Sequence, residues 1–505
     1  MVRSDVNLKQ RYRAILSYTG SILLLASLLM LAPLLALAVC PEESAYSMGF
    51  ILPAIVLGGI GAVSWRTLRP RKPTVLTVQD GGVIVLLSWI VVFLFSSWPF
   101  VVVQELGFTQ AVFESVSGWT TTGLSVIDVA GTTHVILLWR SIMQLAGGAG
   151  LAIIMLAAIA GPRGPGLSVA EGRSEQLVAH VRESGKLVLV IYGGYALVGV
   201  LAYRVAGMGL FDAVNHAFTA ISTGGFSTKP DSIGHWDSPA IEAVTIPLMI
   251  LGNLNFLTAY LLLHGKFKPV RRNGEVRLMA MLLPACAILL FLLVSRGAYA
   301  ALGKGVRVAI FETVAALTTT GFSTTSYANW NSIGFLILMV LMLIGGGTCS
   351  TAGGIKQYRV YLLFKSLVWE VRRRFLPRTA VVANYVWQGE RKEFVTDRRV
   401  REVAVFSFLY LAMYVVGAGI LAAHGYGLKE SLFEFASALG TVGLSVGVTA
   451  ASSPVGVLWA EILGMFLGRL ECLVIVVSVC KIVRDSHAML VQRRRRAAEQ
   501  DVKRA

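Results

Sequence analysis

The chain has 505 residues, of which 55% are hydrophobic and only 14% are charged, and its net charge is +17. Soluble proteins carry roughly 25% charged residues, so this composition excludes a string of soluble domains, a disordered chain and a secreted disulfide scaffold. The five cysteines lie in or beside apolar runs without CxxC spacing, which predicts buried, unreactive thiols rather than disulfides or a metal site. Most of the chain is therefore expected to lie in a membrane.

Ten apolar stretches are long enough to be membrane spans, since a helix needs about 20 apolar residues to cross the hydrocarbon core. They lie at 14–39, 48–65, 81–104, 134–160, 185–206, 240–264, 276–295, 331–365, 398–423 and 455–483. We therefore expect an all-α polytopic membrane protein with ten transmembrane helices.

The basic residues indicate the orientation of these spans. Of the 45 Lys and Arg residues, 37 fall in alternate connections and the two terminal segments: 1–13, 66–73, 161–186, 264–277, 356–401 and 481–505. Lys and Arg are retained on the cytoplasmic side during insertion. Both termini are therefore expected to be cytoplasmic, and the positive charge is a topology signal rather than a sign of nucleic-acid binding.

A motif recurs four times on the opposite side, after the third, fifth, seventh and ninth spans. The copies align without gaps as GFTQAVFESVSGWTTTGLS (107–125), GLFDAVNHAFTAISTGGFS (209–227), GVRVAIFETVAALTTTGFS (305–323) and GLKESLFEFASALGTVGLS (427–445). Each ends in Thr-x-Gly-apolar-Ser. Helix packing through small residues does not explain a shared register in four copies. The spacing fits four membrane repeats of the same orientation around one central axis.

Each copy is predicted to be a short re-entrant helix (107–118, 210–221, 306–317 and 428–439) followed by a loop. Irregular backbone at membrane depth needs protein or water to satisfy its polar groups, so four such loops imply a water-filled axis. Glycine permits unusual backbone angles, and rings of carbonyl oxygens can replace the hydration shell of an ion. The domain boundaries that follow are 1–75 for an N-terminal two-span unit, then 76–165, 166–270, 271–395 and 396–505 for repeats 1 to 4, the last with a basic tail.

The loop sequences TTTG, STGG, TTTG and GTVG resemble the selectivity filters of the Trk/Ktr/HKT superfamily of potassium transporters. The two additional spans before the repeats are similar to the TrkH/TrkG branch, and the resemblance covers nearly the whole chain. It implies a K+ uptake protein, with K+ as the transported ion. The implied K+ filter residues are Thr120, Thr121, Thr122, Gly123, Ser222, Thr223, Gly224, Gly225, Thr318, Thr319, Thr320, Gly321, Gly440, Thr441, Val442 and Gly443.

A glycine-rich segment interrupts the eighth span. It consists of Gly345, Gly346, Gly347, Thr348, Cys349, Ser350, Thr351, Ala352, Gly353 and Gly354. Each glycine costs roughly 1 kcal/mol within a helix, so regular helix is not expected there. We expect it inward of the loops by ten to fifteen residues of helix. The resemblance implies that this segment gates the pore; the alternative is a static kink for tight helix packing.

Several charged residues are predicted at membrane depth. Arg469 lies in the middle of the last span, and the resemblance implies that it places a positive charge in the pore; it would tune the barrier for cations or hold the gate, the alternative being a structural salt bridge. Arg140 is expected to brace the outer vestibule, the alternative being contact with the ion. The Glu114, Glu312 and Glu434 carboxylates either ring the outer mouth or hydrogen-bond the loops from behind, and His216 replaces them in the second copy.

The resemblance also implies partners: a homodimer with one pore per subunit, and a cytoplasmic nucleotide-binding ring of the TrkA type. The basic segments 356–401 and 493–496 would contact that ring or anionic lipids. No nucleotide-binding motif is present in the sequence, so we expect no organic cofactor and no enzyme activity. The close alternative is a related Na+-permeable transporter or a K+ symporter coupled to H+ or Na+. A polytopic membrane enzyme or an assembly scaffold is the remote one.

Overall fold

The computed structural model describes residues 2–69, 76–150, 181–328, 330–377, 383–388 and 391–504. Some expectations fall wholly or partly outside these residues: the end of the span 134–160, parts of the basic segments 66–73, 161–186 and 356–401, and the boundary between the first two repeats at 165 and 166. Side chains are described up to residue 491, so the contacts expected of the basic tail at 493–496 are not addressed.

The described part of the chain is mostly helical, as the composition predicts. The α-helices span Val2–Leu29, Met48–Thr67, Val78–Ser96, Trp98–Val103, Phe108–Trp119, His134–Gly148, Val181–Val205, Leu210–Ile221, Pro239–Asn253, Phe256–Leu263, Phe267–Arg272, Gly274–Leu290, Arg296–Ala298, Leu302–Leu317, Ser332–Ile344, Gln357–Arg374, Asp397–Ala423, Leu428–Gly440, Val455–Arg469 and Cys472–Arg504. A π-helical turn, Phe291–Ser295, joins two of them, and 3-10 turns lie at Ala32–Ala38, Pro41–Tyr46, Val129–Gly131 and Ser232–Trp236.

Six described helices are long and apolar enough to cross a membrane, and eight spans result if each of two bent helix pairs counts as one. Ser332–Ile344 is apolar but has only 13 residues, and His134–Gly148 ends just before residues that are not described. The all-α multi-pass class is confirmed, while the number ten stays a prediction.

Two predicted spans are sharply broken where the sequence analysis expected continuous helices. Pro239–Asn253 and Phe256–Leu263 meet at 119°, because Leu254 is extended and the Asn255 side chain caps the second helix by accepting from the Leu257 amide. Val455–Arg469 and Cys472 onward meet at 99°, with Glu471 at φ 56°. These breaks place polar backbone inside the protein, next to the interrupted eighth span.

A small antiparallel hairpin was not predicted. Strands Tyr385–Gln388 and Arg391–Phe394 pair with Tyr385 opposite Phe394, inside the basic segment 356–401. The guanidinium of Arg272 lies 4.9 Å from the centre of the Trp387 ring, which attaches the hairpin to the preceding basic connection.

The cysteine prediction was partly wrong. All five cysteines are free, as expected, and Cys40, Cys349 and Cys472 are buried. Cys286 is only partly buried and Cys480 is exposed on the last helix.

Candidate functional site

Four short helices end in four loops with the same backbone pattern. We call 120–123, 222–225, 318–321 and 440–443 loops 1 to 4. In each loop the second residue, a threonine, and the fourth residue, a glycine, have positive φ, and the third residue between them does not. The angles are 56° and 94° in loop 1, 52° and 71° in loop 2, 54° and 76° in loop 3, and 50° and 101° in loop 4. A β-branched residue rarely adopts positive φ and costs about 1–3 kcal/mol there, so the surrounding structure must impose this conformation four times.

The last glycines of the loops close a ring. A methyl group on Gly123 would overlap the carbonyl oxygen of Gly224 in loop 2, and one on Gly225 would overlap that of Thr320 in loop 3. The last glycine of loop 3 approaches a backbone carbonyl of loop 4 in the same way, and the last glycine of loop 4 approaches a backbone carbonyl of loop 1. The four loops that contain the predicted filter residues therefore meet in one closed ring, and a side chain at any of the four last glycines would disturb it.

A cavity of about 600 Å³ opens on one side of the ring. Its lining includes the four ring glycines and the serines that follow them in the repeated motif: Ser125, Ser227, Ser323 and Ser445. The ring is thus the floor of a polar vestibule, wide enough to hold water and a hydrated ion.

In repeats 1 and 4, buried carboxylates hold the loops from behind. Oε1 of Glu114 accepts from the Ser125 hydroxyl at 2.7 Å and from the Val126 amide at 2.6 Å. Glu434 accepts from the Ser445 hydroxyl at 2.6 Å and from two further backbone amides at 2.9 and 3.0 Å. Both carboxylates are fully buried, so they do not face the vestibule.

The other two repeats use the same position with different partners. Glu312 accepts from the amide and hydroxyl of Thr324 at 2.8 and 2.9 Å and from the Tyr327 hydroxyl at 2.5 Å. In repeat 2, Nε2 of His216 lies 2.9 Å from the Ser227 hydroxyl. In all four repeats the side chain at this position therefore hydrogen-bonds the residues that follow the loop, on the side away from the vestibule. In repeat 2 a histidine takes the place of the carboxylate.

Removing one brace is expected to destabilise the protein measurably. Glu434→Ala would leave three donors without their acceptor, the buried Thr449 amide and the partly buried Ser445 hydroxyl and Val446 amide. A buried donor without an acceptor costs roughly 1–3 kcal/mol. We therefore expect a clear fall in the melting temperature of the purified protein. Glu402→Ala is the matched control, since it removes only exposed ion pairs to Arg398 and Arg399, each worth at most about 1 kcal/mol. Equal melting temperatures for the two variants would contradict the bracing role.

The helix His134–Gly148 supplies two more supports. The Arg140 guanidinium donates to the Ser125 hydroxyl at 2.9 Å, donates to the Ser227 carbonyl at 3.3 Å, and lies 3.3 Å from Glu114. Arg140 also lines the vestibule, in agreement with the predicted bracing role. Gln144, which the sequence analysis missed, donates to the carbonyl of Gly224 at 2.6 Å.

The glycine-rich segment 345–354 is non-helical, as predicted, but lies much closer to the loops than predicted. The Thr351 hydroxyl is 3.0 Å from the Thr223 hydroxyl of loop 2, and the Gly353 amide donates to the Thr319 hydroxyl of loop 3 at 2.8 Å. A methyl group on Gly353 would overlap the Thr441 hydroxyl of loop 4. The expected separation of ten to fifteen residues is therefore wrong, because the breaks in neighbouring spans let the segment reach the ring directly.

Arg469 holds this segment. It is the last residue of Val455–Arg469, at the 99° bend, and not in the middle of a continuous span. Its guanidinium donates to the Thr351 carbonyl and, at 2.7 Å, to the Gly147 carbonyl. The positive charge thus lies directly below the loops and joins the segment to the helix that supports loops 1 and 2.

Three other anchors of the segment were missed by the sequence analysis. The Asn253 side chain accepts from the Gly347 amide at 3.1 Å, and Glu275 accepts from the amide and hydroxyl of Thr348 at 2.7 Å each. Gln357 donates to the Gly345 carbonyl at 3.1 Å. Their signal in the sequence is a polar side chain within or at the start of an apolar run.

Comparison with known proteins identifies the family of this chain. The sequence matches the TrkH family of cation transport proteins over residues 48–489. This chain belongs to the TrkH family. The match takes in all four loops and the glycine-rich segment.

Relatives and a solved structure agree with the family assignment. The chain is 30% identical to the Trk system potassium uptake protein TrkG of Escherichia coli K12, over 91% of this chain and 96% of TrkG. It is also 30% identical to TrkI of Halomonas elongata, over 93% of this chain and 96% of the relative. The crystal structure of the potassium transporter TrkH from Vibrio parahaemolyticus superposes with a TM-score of 0.80, at 29% identity and covering 92% of this chain and 98% of the other.

Proposed function

We propose that this protein takes up K+ across the cytoplasmic membrane through the ring of loops 1 to 4. The relatives named above are potassium uptake proteins and a potassium transporter. The observation that carries the proposal is the closed ring in which every last glycine contacts the carbonyl of the next loop. A membrane protein that only scaffolds or catalyses has no need for such a ring at the floor of a polar vestibule.

The backbone of the ring supports a site for a dehydrated cation. Residues of alternating φ sign turn successive carbonyls toward the same side of a chain, and the four loops share that alternation. Carbonyl oxygens of four loops then replace the water around K+. The threonine hydroxyls add acceptors; those of Thr121 and Thr441 are buried without a hydrogen-bond partner in this structure.

The glycine-rich segment is the gate in this proposal. It contacts loops 2, 3 and 4 from the side opposite the vestibule and is fixed there by the Arg469 guanidinium. Ion passage requires the segment to leave this position. The positive charge of Arg469 opposes a cation for as long as it remains below the ring.

The orientation and partners follow from the charge distribution. We infer that both termini are cytoplasmic, because Lys and Arg concentrate in alternate connections. The exposed arginines 372–374 and the nearby hairpin offer a cytoplasmic surface for a TrkA-type nucleotide-binding ring or for anionic lipids. A homodimer, the lack of an organic cofactor and the lack of enzyme activity belong to the same proposal.

Uptake of radiolabelled Rb+ into vesicles that contain the purified protein tests the function. We expect uptake above that of protein-free vesicles, competed by K+ and much less by Na+. Equal competition by Na+ would favour the Na+-permeable alternative, and a reversal potential that follows an opposing H+ or Na+ gradient would favour coupled symport. Absence of flux with and without the nucleotide-binding partner would contradict transport altogether.

A further inference from the structure

Three side chains of different chemistry meet outside the ring and its supports. They are Cys40, Glu43 and His134, and one potential ligand atom from each lies within 4.8 Å of the other two. Cys40 and Glu43 come from the short connection between the first two long helices. His134 is the first residue of the helix that carries Arg140 and Gln144.

The local backbone fixes this cluster. The 3-10 turn Pro41–Tyr46 begins directly after Cys40, and the Glu43 amide donates to the Cys40 carbonyl at 3.2 Å. The Glu43 carboxylate accepts from the backbone amides of His134 at 2.8 Å and Val135 at 2.9 Å, and one of its oxygens lies 2.8 Å from Nδ1 of the His134 ring. Glu43 therefore caps the helix and orients the imidazole.

Helix capping alone does not account for the cluster. It explains Glu43, whose carboxylate has acceptor capacity left after two amide bonds, but not why a buried thiol lies at the same point. The Cys40 side chain is buried, and its sulfur lies beside the Glu43 carboxylate and the His134 ring. A divalent cation at this point would favour the Cys40 thiolate.

We propose that Cys40, Glu43 and His134 bind one transition-metal ion of the Zn²⁺ class. Thiolate, imidazole and carboxylate are the ligands that Zn²⁺ takes in proteins, at about 2.0–2.3 Å each, so ligand atoms around one tetrahedral ion lie roughly 3.3–3.8 Å apart. Small side-chain movements bring the three atoms to that separation, since they already lie within 4.8 Å of one another. On binding, the Cys40 sulfur forms a bond to the metal and releases its proton to solvent. Water fills the fourth position, which is accessible because the His134 side chain is 46% exposed.

The bound ion would add a metal link between parts of the fold that already meet through the hydrogen bonds of Glu43. The His134 ring stands edge-on to Phe211, 4.9 Å between centres, at the start of the short helix of repeat 2. The metal therefore joins the connection of the N-terminal unit to the helix that supports loops 1 and 2. We expect it to raise the melting temperature of the protein.

Cd²⁺ binding to the purified full-length protein tests this site, because a Cd²⁺–thiolate bond has an ultraviolet charge-transfer band. We expect one Cd²⁺ per chain with that band, displaced by Zn²⁺, and a higher melting temperature with either ion. Cys40→Ser should remove the band, and His134→Ala should weaken binding by about 100-fold, at or above the loss typical of altering a metal site's outer partners.

Cys480→Ser and His424→Ala are the matched controls, because both residues are exposed and distant from the cluster in sequence. Both controls should retain the band, the stoichiometry and the metal-dependent stabilisation. If Cys40→Ser misfolds, His134→Ala still decides, since its side chain is half exposed. An unchanged affinity in His134→Ala, loss of the band in Cys480→Ser, or no Cd²⁺ binding by the unmodified protein would each overturn the proposal. None of these measurements depends on K+ transport.

Discussion

Gly123→Asp is expected to abolish K+ selectivity or transport while the protein remains inserted in the membrane. At φ 94° any side chain is strained, and the new β-carbon would overlap the Gly224 carbonyl oxygen of the neighbouring loop. The overlap is with backbone, so the side chain cannot rotate away from it. Loop 1 has to move out of the ring, and its carbonyls are lost from the proposed site.

The carboxylate adds a second effect. A negative charge at the floor of the vestibule attracts Na+ and K+ alike, so the discrimination between them falls. We expect at least a tenfold loss of K+ over Na+ preference, since about 1.4 kcal/mol is worth a factor of ten and strain of this kind costs about 1–3 kcal/mol. The measurement is Rb+ uptake by vesicles in the presence of competing K+ or Na+.

Gly303→Asp is the control for this variant. Gly303 lies in the first turn of the helix Leu302–Leu317, nothing approaches its added β-carbon within 4 Å, and an acidic residue is favourable at a helix N-terminus. It should insert and transport as the unmodified protein does. If Gly123→Asp were to keep the original selectivity, loop 1 could not be part of the ion site.

Arg469→Ala is expected to raise ion leak through the protein. The substitution removes the bonds from the guanidinium to the carbonyls of Thr351 and Gly147, and with them the positive charge below the ring. Hydrogen bonds to charged groups are worth about 1.5–3 kcal/mol. The open population should therefore rise roughly ten- to a hundredfold, measured as current across a bilayer without the nucleotide-binding partner.

The control for Arg469 is another arginine that bonds to a backbone carbonyl. Arg204 donates to the Met208 carbonyl at 2.9 Å, on the opposite side of the protein in the predicted topology. Arg204→Ala should leave the leak unchanged. Deletion of residues 345–347 should act in the same direction as Arg469→Ala. A folded, inserted deletion variant with the original low leak would show that the segment is not a gate.

The loops and short helices were predictable because their signal repeats. Phe108–Trp119 and Leu210–Ile221 begin and end within a residue or two of the predicted re-entrant helices, since four aligned copies fix the register that one copy leaves open. The interruption at 345–354 was predictable from glycine content alone. The polar residues behind the loops were identified, but sequence could not decide which way Glu114 points, because that depends on where Arg140 and the loop backbone lie.

What could not be predicted depends on contacts between distant segments. The bend at Asn253 and the bend at Glu471 lie in runs whose average hydropathy stays high despite a few polar residues, so hydropathy shows continuous spans. Consequently the distance between the segment 345–354 and the ring was overestimated, and Arg469 was placed inside a helix that in fact ends there. Likewise Cys40 and His134 are 94 residues apart, and only the fold brings them together.

The ring also has a genetic consequence, because its four loops belong to one polypeptide chain. In a channel of four identical subunits, one altered codon changes all four loops at once. Here one altered codon changes a single loop. The loop sequences TTTG, STGG, TTTG and GTVG could therefore diverge, and His216 could replace a carboxylate. Each loop can therefore change independently of the other three. Selection can act on a ring with four different loops, which four identical subunits cannot form.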